Sequence, residues 1–516
     1  MSYYMINRMR KLLFLLAWVC VLSAAAQSYH NPIIPGFNPD PSICRVGDDY
    51  YIVNSSFQYF PGVPVYHSKD LIHWEQIGNV LTRDSQLPIQ GLNAWQGIYA
   101  PTLRYHDGTY YMITTLVGNG GNFMVTATKP EGPWSEPIQL SQGGIDPSLL
   151  FENGKCYMVS NPSDAITLCE IDPKTGKQLT ESRPIWHGTG GRYPEGPHIY
   201  KKDGWYYLLI SEGGTELAHS LTIARSKNIY GPYTANPANP IFTHCCQKGQ
   251  TSQIQGTGHG DFVQASDGSW WIVFLAYRQY GGAYHHLGRE TFLAPVEWKT
   301  GEWPVINGGE PIDTVMKVKT PPAVPVKKAV RHYDFNDGKF GCEWVHIQNP
   351  IQEYYRFRDG KLILRSSGST LTDNKQPSFV GQRQTNATMS AETQVELLSG
   401  ELGSVAGLSV YQNWDGHAEM VLKHNGSRYI PVMRVQVKSL VVEKEGEPQT
   451  SPNIRLRLRS DADRYYFDYA PEGADFKTID SIECSLLSTE VVGGFTGVTV
   501  GMYTTGTAAF EYFNYD

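Results

Sequence analysis

Five times along the chain a polar turn gives way to a run where aromatic and aliphatic residues crowd together. The runs are Asp49-Tyr50-Tyr51-Ile52-Val53, Asp107-Gly108-Thr109-Tyr110-Tyr111-Met112-Ile113, Asn153-Gly154-Lys155-Cys156-Tyr157-Met158-Val159, Asp203-Gly204-Trp205-Tyr206-Tyr207-Leu208-Leu209 and Asp267-Gly268-Ser269-Trp270-Trp271-Ile272-Val273. Asp-Gly or Asn-Gly ahead of β-prone residues is a hairpin signal, so each copy predicts a hairpin with a buried second strand. The copies recur roughly every 45 to 65 residues, about the length of a four-stranded propeller blade with its loops. No long stretch between them shows helical periodicity. The pattern predicts an all-β protein with a five-bladed β-propeller over residues 27–319; an all-β sandwich with similar hairpins is the competing architecture.

The pattern changes near residue 320. Lys319-Thr320-Pro321-Pro322-Ala323-Val324-Pro325-Val326 is proline-rich and predicts an extended, semi-rigid linker over 320–327. Beyond it, short alternating runs such as Lys361-Leu362-Ile363-Leu364 and Arg455-Leu456-Arg457-Leu458-Arg459 are punctuated by Gly, Asn and Asp. This predicts a β-sandwich domain over 328–516.

The first 26 residues form a different kind of segment. Arg8, Arg10 and Lys11 precede an apolar run from Leu12 to Leu22, followed by Ser23-Ala24-Ala25-Ala26. That order is a secretory signal peptide, with an apolar run too short to span a bilayer. It predicts a periplasmic or secreted protein with no membrane span. Cys20 raises the alternative of a lipidated N-terminus, but bulky Val19 before it argues for the Ala-rich cleavage site. The eight cysteines include Cys20, leaving an odd number after cleavage. An odd count argues against a full disulfide framework and for free buried thiols, although Cys156 and Cys169 are placed to face each other across a hairpin.

Composition narrows the partners. Aromatics make up 12% of the chain and charged residues 18%, with a net charge of −7. Without a strongly basic stretch, nucleic acid is an unsuitable partner. Abundant Tyr and Trp suit aromatic-lined grooves for a neutral ligand such as an oligosaccharide or polysaccharide.

Aligning the copies on their second aromatic isolates the candidate chemistry. Asp40 stands eleven positions before Tyr51 and Asp146 eleven before Tyr157, each opening an Asp-Pro-Ser tripeptide. Glu195 stands twelve before Tyr207 in Glu195-Gly196-Pro197-His198; copy two has Ala100-Pro101 and copy five has His259-Gly260. The innermost strand of each blade lines a propeller's channel, so equivalent positions converge on the axis. Three gathered carboxylates repel and are costly to desolvate, which points to catalysis or a bound cation. Calcium cages usually draw several oxygens from one short loop, whereas these acids come from separate blades. Two carboxylates across a cleft suffice for glycosidic hydrolysis, and a third can raise the acid's pKa and orient it. Glu212, in Ser211-Glu212-Gly213-Gly214, is the rival acid, expected in a loop after its strand.

At these residues the chain resembles glycoside hydrolase family 43, the β-xylosidases and α-L-arabinofuranosidases. The matching segments run from Asn31 to Ser42, from Ile145 to Ser148, from Glu195 to His198 and from Leu287 to Thr291. The resemblance implies a five-bladed propeller and hydrolysis with inversion at the anomeric carbon. It implies Asp40 as general base, Glu195 as general acid and Asp146 as pKa modulator and orienter. It also implies Phe57 and Trp74 as aromatic walls of the terminal sugar subsite, Arg289 as a ligand of sugar hydroxyls and His259 beneath the pocket. Ordinary core packing, an ion pair and a satisfied core histidine are the plain alternatives for these four. The C-terminal sandwich resembles one that packs on the propeller in several branches of the family and can lend a loop to the pocket rim; an independent carbohydrate-binding module is the alternative. The implied chemistry requires no cofactor and no catalytic metal. Asp334 and Asp516 are candidates to share a structural calcium, against the simpler reading of exposed acids. The expected activity is exo-acting release of terminal α-L-arabinofuranose, with β-D-xylose the alternative, from hemicellulose such as xylan, arabinan or xyloglucan. Fructan-cleaving relatives share the propeller–sandwich order but typically place cysteine after the acid, where this chain has Gly196. A non-catalytic sugar-binding protein would need no matched acid and base.

Overall fold

A computed structural model describes residues 27–245, 247–318, 331–399 and 401–516. The signal segment 1–26 with Cys20, the linker 320–327 and Cys246 lie outside the described residues.

The five repeats are five blades. Their first two strands are Ser42–Val46 and Asp49–Val53, Thr102–His106 and Thr109–Val117, Ile145–Glu152 and Lys155–Asn161, Glu195–Lys202 and Trp205–Glu212, and Ile254–Gln264 and Trp270–Arg278. Each pair is antiparallel, and outer strands complete five separate sheets. In blades two, three and four the turn is Asp107-Gly108, Asn153-Gly154 or Asp203-Gly204, with both residues at positive φ. That is the backbone a two-residue hairpin with right-handed strand twist requires. The residue after the aligned aromatic, namely Ile52, Met112, Met158, Leu208 or Ile272, is 0% exposed in every blade. Fully burying each such side chain contributes about 1.5–3 kcal/mol, so the repeat in sequence is a repeat in packing.

Ring closure is made by the N-terminal segment. Gln27–His30 pairs antiparallel with Val315–Val318. Asn31 then exchanges two hydrogen bonds with Leu293 of blade five, donating through Nδ2 and accepting at Oδ1, each at 2.9 Å.

Below the mouth, the channel is filled by a buried polar knot. Asp261 of blade five accepts from Ser42 Oγ of blade one at 2.8 Å, Arg104 Nη1 of blade two at 2.9 Å and Tyr200 Oη of blade four at 2.6 Å. Burial alone would raise the Asp261 pKa, but Arg104, His198 and these donors hold the carboxyl down at about 2. Ser42 and Asp261 each lie two residues beyond a mouth residue, Asp40 and His259. The two-residue period of a strand stacks the mouth layer on the knot.

The C-terminal domain is a sandwich of two eight-stranded sheets. In Asn453–Asp461, Ile454, Leu456 and Leu458 face the core while the arginines alternate outward, as the Arg-Leu repeat predicts. The division into domains is less clean than the sequence implied. Tyr59–Phe60, from the blade-one segment, pairs with Val345–Ile347 and forms the edge strand of one sandwich sheet. The loop 87–92 is tied to the sandwich by Asn349, which accepts from Ile89 N at 2.9 Å and donates to Leu87 O at 2.8 Å.

Cys156 and Cys169 sit on neighbouring strands but out of step: Cys156 opposes Ile171 and Cys169 opposes Met158. Both are free thiols, as are Cys44, Cys245, Cys342 and Cys484. Asp334 accepts from Asn336 N and Nδ2, and Asp516 pairs through its backbone with Ser390. Among the described residues no group of three or more His, Cys, Asp or Glu is arranged to hold a metal. No described helix is long and apolar enough to cross a membrane.

Candidate active site

The residues opening the inner strands share a backbone device. Asp40, Asp146 and His259 have φ of 53°, 55° and 47°, and in blade four the left-handed residue is Gly196 at 59°, directly after Glu195. In blades three, four and five these residues fall within register shifts of the first hairpin. Such bulges bend a strand and re-aim its side chains. A non-glycine residue held at positive φ costs on the order of 1–3 kcal/mol, and the surrounding sheet holds three of them here. Gly196 permits close packing: a Cβ there would lie 3.1 Å from the His259 ring.

The result is one cavity of about 500 Å³ that brings Asp40, Asp146, Glu195, Phe57, His259 and Arg289 together. Asp40 accepts from Arg289 Nη1 at 3.0 Å and from Ser55 Oγ at 2.5 Å, with His259 Nδ1 at 4.0 Å. Burial opposes ionisation of Asp40, but Arg289, His259 and the Ser55 hydroxyl outweigh it and hold the carboxyl below its ordinary range. Asp146 accepts from Gly196 N at 3.1 Å. Burial, then the charges of Glu195 and Asp40, push its carboxyl well above the usual range. Burial also holds the imidazole of His259 below its usual value, favouring the neutral form. Tyr99, beside the cluster, is pushed up to about 12 by burial and by the surrounding carboxylates, against the pull of Arg289.

Chemically, the pocket holds one carboxyl disposed to stay ionised and a neighbouring pair, Asp146 and Glu195, that repel each other. That repulsion, added to burial, favours a proton on Asp146. Asp146 is only 7% exposed, whereas the Glu195 side chain is 18% exposed and faces the cavity. Of the two, Glu195 is the more open to the cavity.

Two expectations need correction. Trp74 is not part of this pocket. Its Nε1 donates to Leu71 O at 2.9 Å and its ring packs on the propeller core, lining a different cavity between blade one and the sandwich. The turn Ser68–His73, held by Asp70 accepting from the backbone of Ile72 and His73, directs it there. Glu212 is not in a loop. It ends the strand Trp205–Glu212, is buried, and accepts from Thr189 N, Thr189 Oγ1, Gly191 N and Thr222 Oγ1. A carboxylate so fully used in holding the 188–192 loop has no free oxygen for a substrate.

Other residues in or beside the pocket were not foreseen. Tyr99 immediately precedes Ala100, the copy-two counterpart of Asp40, so the same alignment reaches it one position away. His219 Nε2 stands 3.6 Å from Glu195 Oε1, with Nδ1 3.2 Å from Gly256 O; nothing in Ala218-His219-Ser220 marks it. Thr215 accepts from Arg289 Nη1 at 3.2 Å. Phe495 comes from the sandwich: its ring lies 6.1 Å from Phe57 and its carbonyl accepts from Arg289 Nη2 at 3.3 Å. Glu490, just before it in sequence, clasps His285 of the propeller through Nδ1 at 2.5 Å and the backbone N at 3.1 Å. The Gly493-Gly494-Phe495-Thr496-Gly497 run, which breaks strand alternation, was the available signal.

Residues 29–304 match the model of glycosyl hydrolases family 43, and residues 332–516 match that of the beta xylosidase C-terminal concanavalin A-like domain. A non-reducing end alpha-L-arabinofuranosidase of Bacteroides ovatus is 39% identical over 99% of this chain and 99% of its own. A xylosidase/arabinosidase of Butyrivibrio fibrisolvens is 38% identical over 92% of this chain and 95% of its own. Among solved structures, "Bacteroides ovatus Xyloglucan PUL GH43B" superposes with a TM-score of 0.91 at 38% identity, covering 95% of this chain and 100% of that one. The propeller with its three gathered carboxylates, the sandwich that reaches into the pocket and these full-length matches carry one conclusion: the chain belongs to glycosyl hydrolase family 43 and is a glycoside hydrolase.

Proposed function

We propose that the protein is an exo-acting, inverting α-L-arabinofuranosidase that frees non-reducing terminal arabinofuranose from hemicellulose such as xyloglucan, xylan or arabinan. The observation that carries this reading is that one pocket gathers Asp40, Asp146 and Glu195, with the carboxyls of Asp40 and Asp146 driven in opposite directions. Asp40, kept ionised, takes a proton from the water that attacks the anomeric carbon. Glu195 gives a proton to the departing glycosidic oxygen, and Asp146 keeps that proton available. Phe57, Tyr99 and Phe495 offer carbon faces to the sugar ring. Arg289 is already committed to Asp40 and Thr215, so its role is first to hold the base and then to reach hydroxyls. The choice of arabinose rests on the name of the Bacteroides ovatus relative; the name of the Butyrivibrio fibrisolvens relative supports β-D-xylosidase activity as the second reading. Residues 1–26 fit export to the periplasm or beyond, where such polymers are met.

Rates on 4-nitrophenyl α-L-arabinofuranoside and β-D-xylopyranoside decide between the two sugars. Proton NMR of the first-formed product decides the stereochemistry. Inversion leaves room for a water between acid and base, with carboxyl separations of about 6.5–9.5 Å; a retained anomer would rule out Asp40 as a base. Release of oligosaccharides before monosaccharide would exclude the exo mode.

A further inference from the structure

Blade one and the sandwich enclose a second cavity that the hydrolytic chemistry does not use. It measures about 310 Å³ and is bounded by Ile33, Pro35 and Trp74 on one side and by Arg331, Gln382 and Arg383 on the other. A larger groove of about 1070 Å³ shares Trp74, Arg331 and Asn386 with it.

The residues of the wall hold unused donors buried just behind its surface. Arg383 is only 5% exposed, and its Nε and Nη2 have no hydrogen-bond partner. Among the described residues no carboxylate lies within ion-pair distance of it, and the phenols of Tyr66 and Tyr59 are the titratable groups that act on its charge. Gln382 is 1% exposed and its Nε2 is also unpartnered. The acceptors alongside are taken: Gln382 Oε1 accepts from Arg331 Nη1 at 3.2 Å, and Asn38 Oδ1 accepts from Tyr66 Oη at 2.8 Å. The lining carries two guanidinium groups against one carboxylate, Glu343. A buried, unpaired cation is among the costliest things a fold can hold. A ligand that brings an anionic oxygen acceptor removes that cost, and a carboxylate matches the guanidinium fork in two hydrogen bonds.

Trp74 adds the second half of the recognition. Its Nε1–H is spent on Leu71 O, so it offers the cavity only carbon. A flat carbon surface beside buried donors is a setting for a sugar ring that carries an acid group. At about 310 Å³ the cavity sits at the small end of ligand pockets, with room for one ring.

We propose that this cavity binds a carboxylated sugar, a hexuronate, with its carboxylate on Arg383 and Gln382 and its ring against Trp74. The same chemistry arrives either as a free acid or as an acidic side branch of a polysaccharide whose remainder lies in the adjoining groove.

Calorimetric titration of the full chain with D-glucuronate, D-glucose, acetate and a glucuronate-branched oligosaccharide tests this, with glucuronate-soaked crystals to locate the ligand. The expected result is binding of glucuronate at this cavity, with glucose and acetate at least about tenfold weaker. Arg383→Met and Trp74→Ala should each weaken glucuronate by about tenfold or more. Tighter binding of the branched oligosaccharide than of the free acid identifies the polymer as the source, and the reverse identifies the free acid. Should Arg383→Met fail to fold, Gln382→Leu and Trp74→Ala carry the test. Glucuronate that does not bind, that appears only in the Asp40 pocket, or that is matched by acetate overturns the proposal.

Discussion

Asp40 and Asp146 occupy the same left-handed position at the head of an inner strand, with φ of 53° and 55°, yet their carboxyls are driven in opposite directions. Both are buried, so burial does not separate them. The neighbours do: Asp40 meets the Arg289 guanidinium and the Ser55 hydroxyl, whereas Asp146 meets Glu195 and a single backbone N–H. Blade repetition supplied equivalent backbone sites, and different facing residues turned them into different acids.

Arg289 is therefore predicted to set the acidic limb of the pH–rate profile. In Arg289→Met the Asp40 carboxyl loses its nearest cation and climbs, so the limb should move up by about one to three pH units. The check is kcat/KM on an aryl pentoside from pH 3 to pH 9. A limb that stays in place would mean Arg289 does not govern the ionisation of Asp40.

The sandwich should contribute to catalysis as well as to stability. Phe495→Ala removes an aromatic wall, and kcat/KM should fall by about tenfold, mostly through KM. Glu490→Gln, which weakens the clasp on His285, should move the same parameter in the same direction by less. Unchanged KM in Phe495→Ala would remove the sandwich from the pocket.

The polar knot beneath the pocket should dominate acid stability. Asp261→Ala leaves the part-buried Arg104 without its charge partner and takes the acceptor from Ser42 and Tyr200, a loss of up to about 3 kcal/mol. Because the folded pKa of Asp261 is held near about 2, below the ordinary 3.8, its contribution is complete above roughly pH 4 and is lost as pH falls toward 2. Thermal unfolding across that window should show a steeper acid decline in the parent than in Asp261→Ala. Parallel curves would refute the linkage.

The blades and the sandwich alternation were legible because each rests on local period: Asn/Asp-Gly turns, a buried aliphatic after each aligned aromatic, and Leu456 and Leu458 between outward arginines. The three acids were legible for the same reason, since symmetry placed them at equivalent positions. Trp74 was misplaced because a turn after the blade's third strand carries it round to the sandwich side, a tertiary matter that spacing does not encode. Tyr59–Phe60 joining the sandwich sheet and Phe495 entering the propeller pocket are contacts between residues hundreds apart in sequence. His219 sits beside Glu195 through blade geometry alone.

Substitution separates the members of the repelling pair. Glu195→Ala should leave activated aryl pentosides comparatively fast, because an acidic phenol departs without a proton, while natural glycosides lose roughly a hundred- to ten-thousand-fold. Asp40→Ala should abolish turnover on both, since water activation is needed whatever leaves. Asp146→Asn should slow the enzyme and move the alkaline limb to lower pH. The sign follows from Asp146: burial and the charges of Glu195 and Asp40 hold its proton to well above the usual carboxyl range, and Asn removes that high-lying titration from the pocket. Asp146→Asn also keeps the Gly196 N–H acceptor, so a collapse of the strand head is not the cause of any shift. The measurement is a pH–rate profile of the three variants on one activated and one unactivated pentoside. Equal losses on both substrates for Glu195→Ala would remove Glu195 as the donor. An alkaline limb in Asp146→Asn that stays put or rises would show that Asp146 does not hold the proton in place.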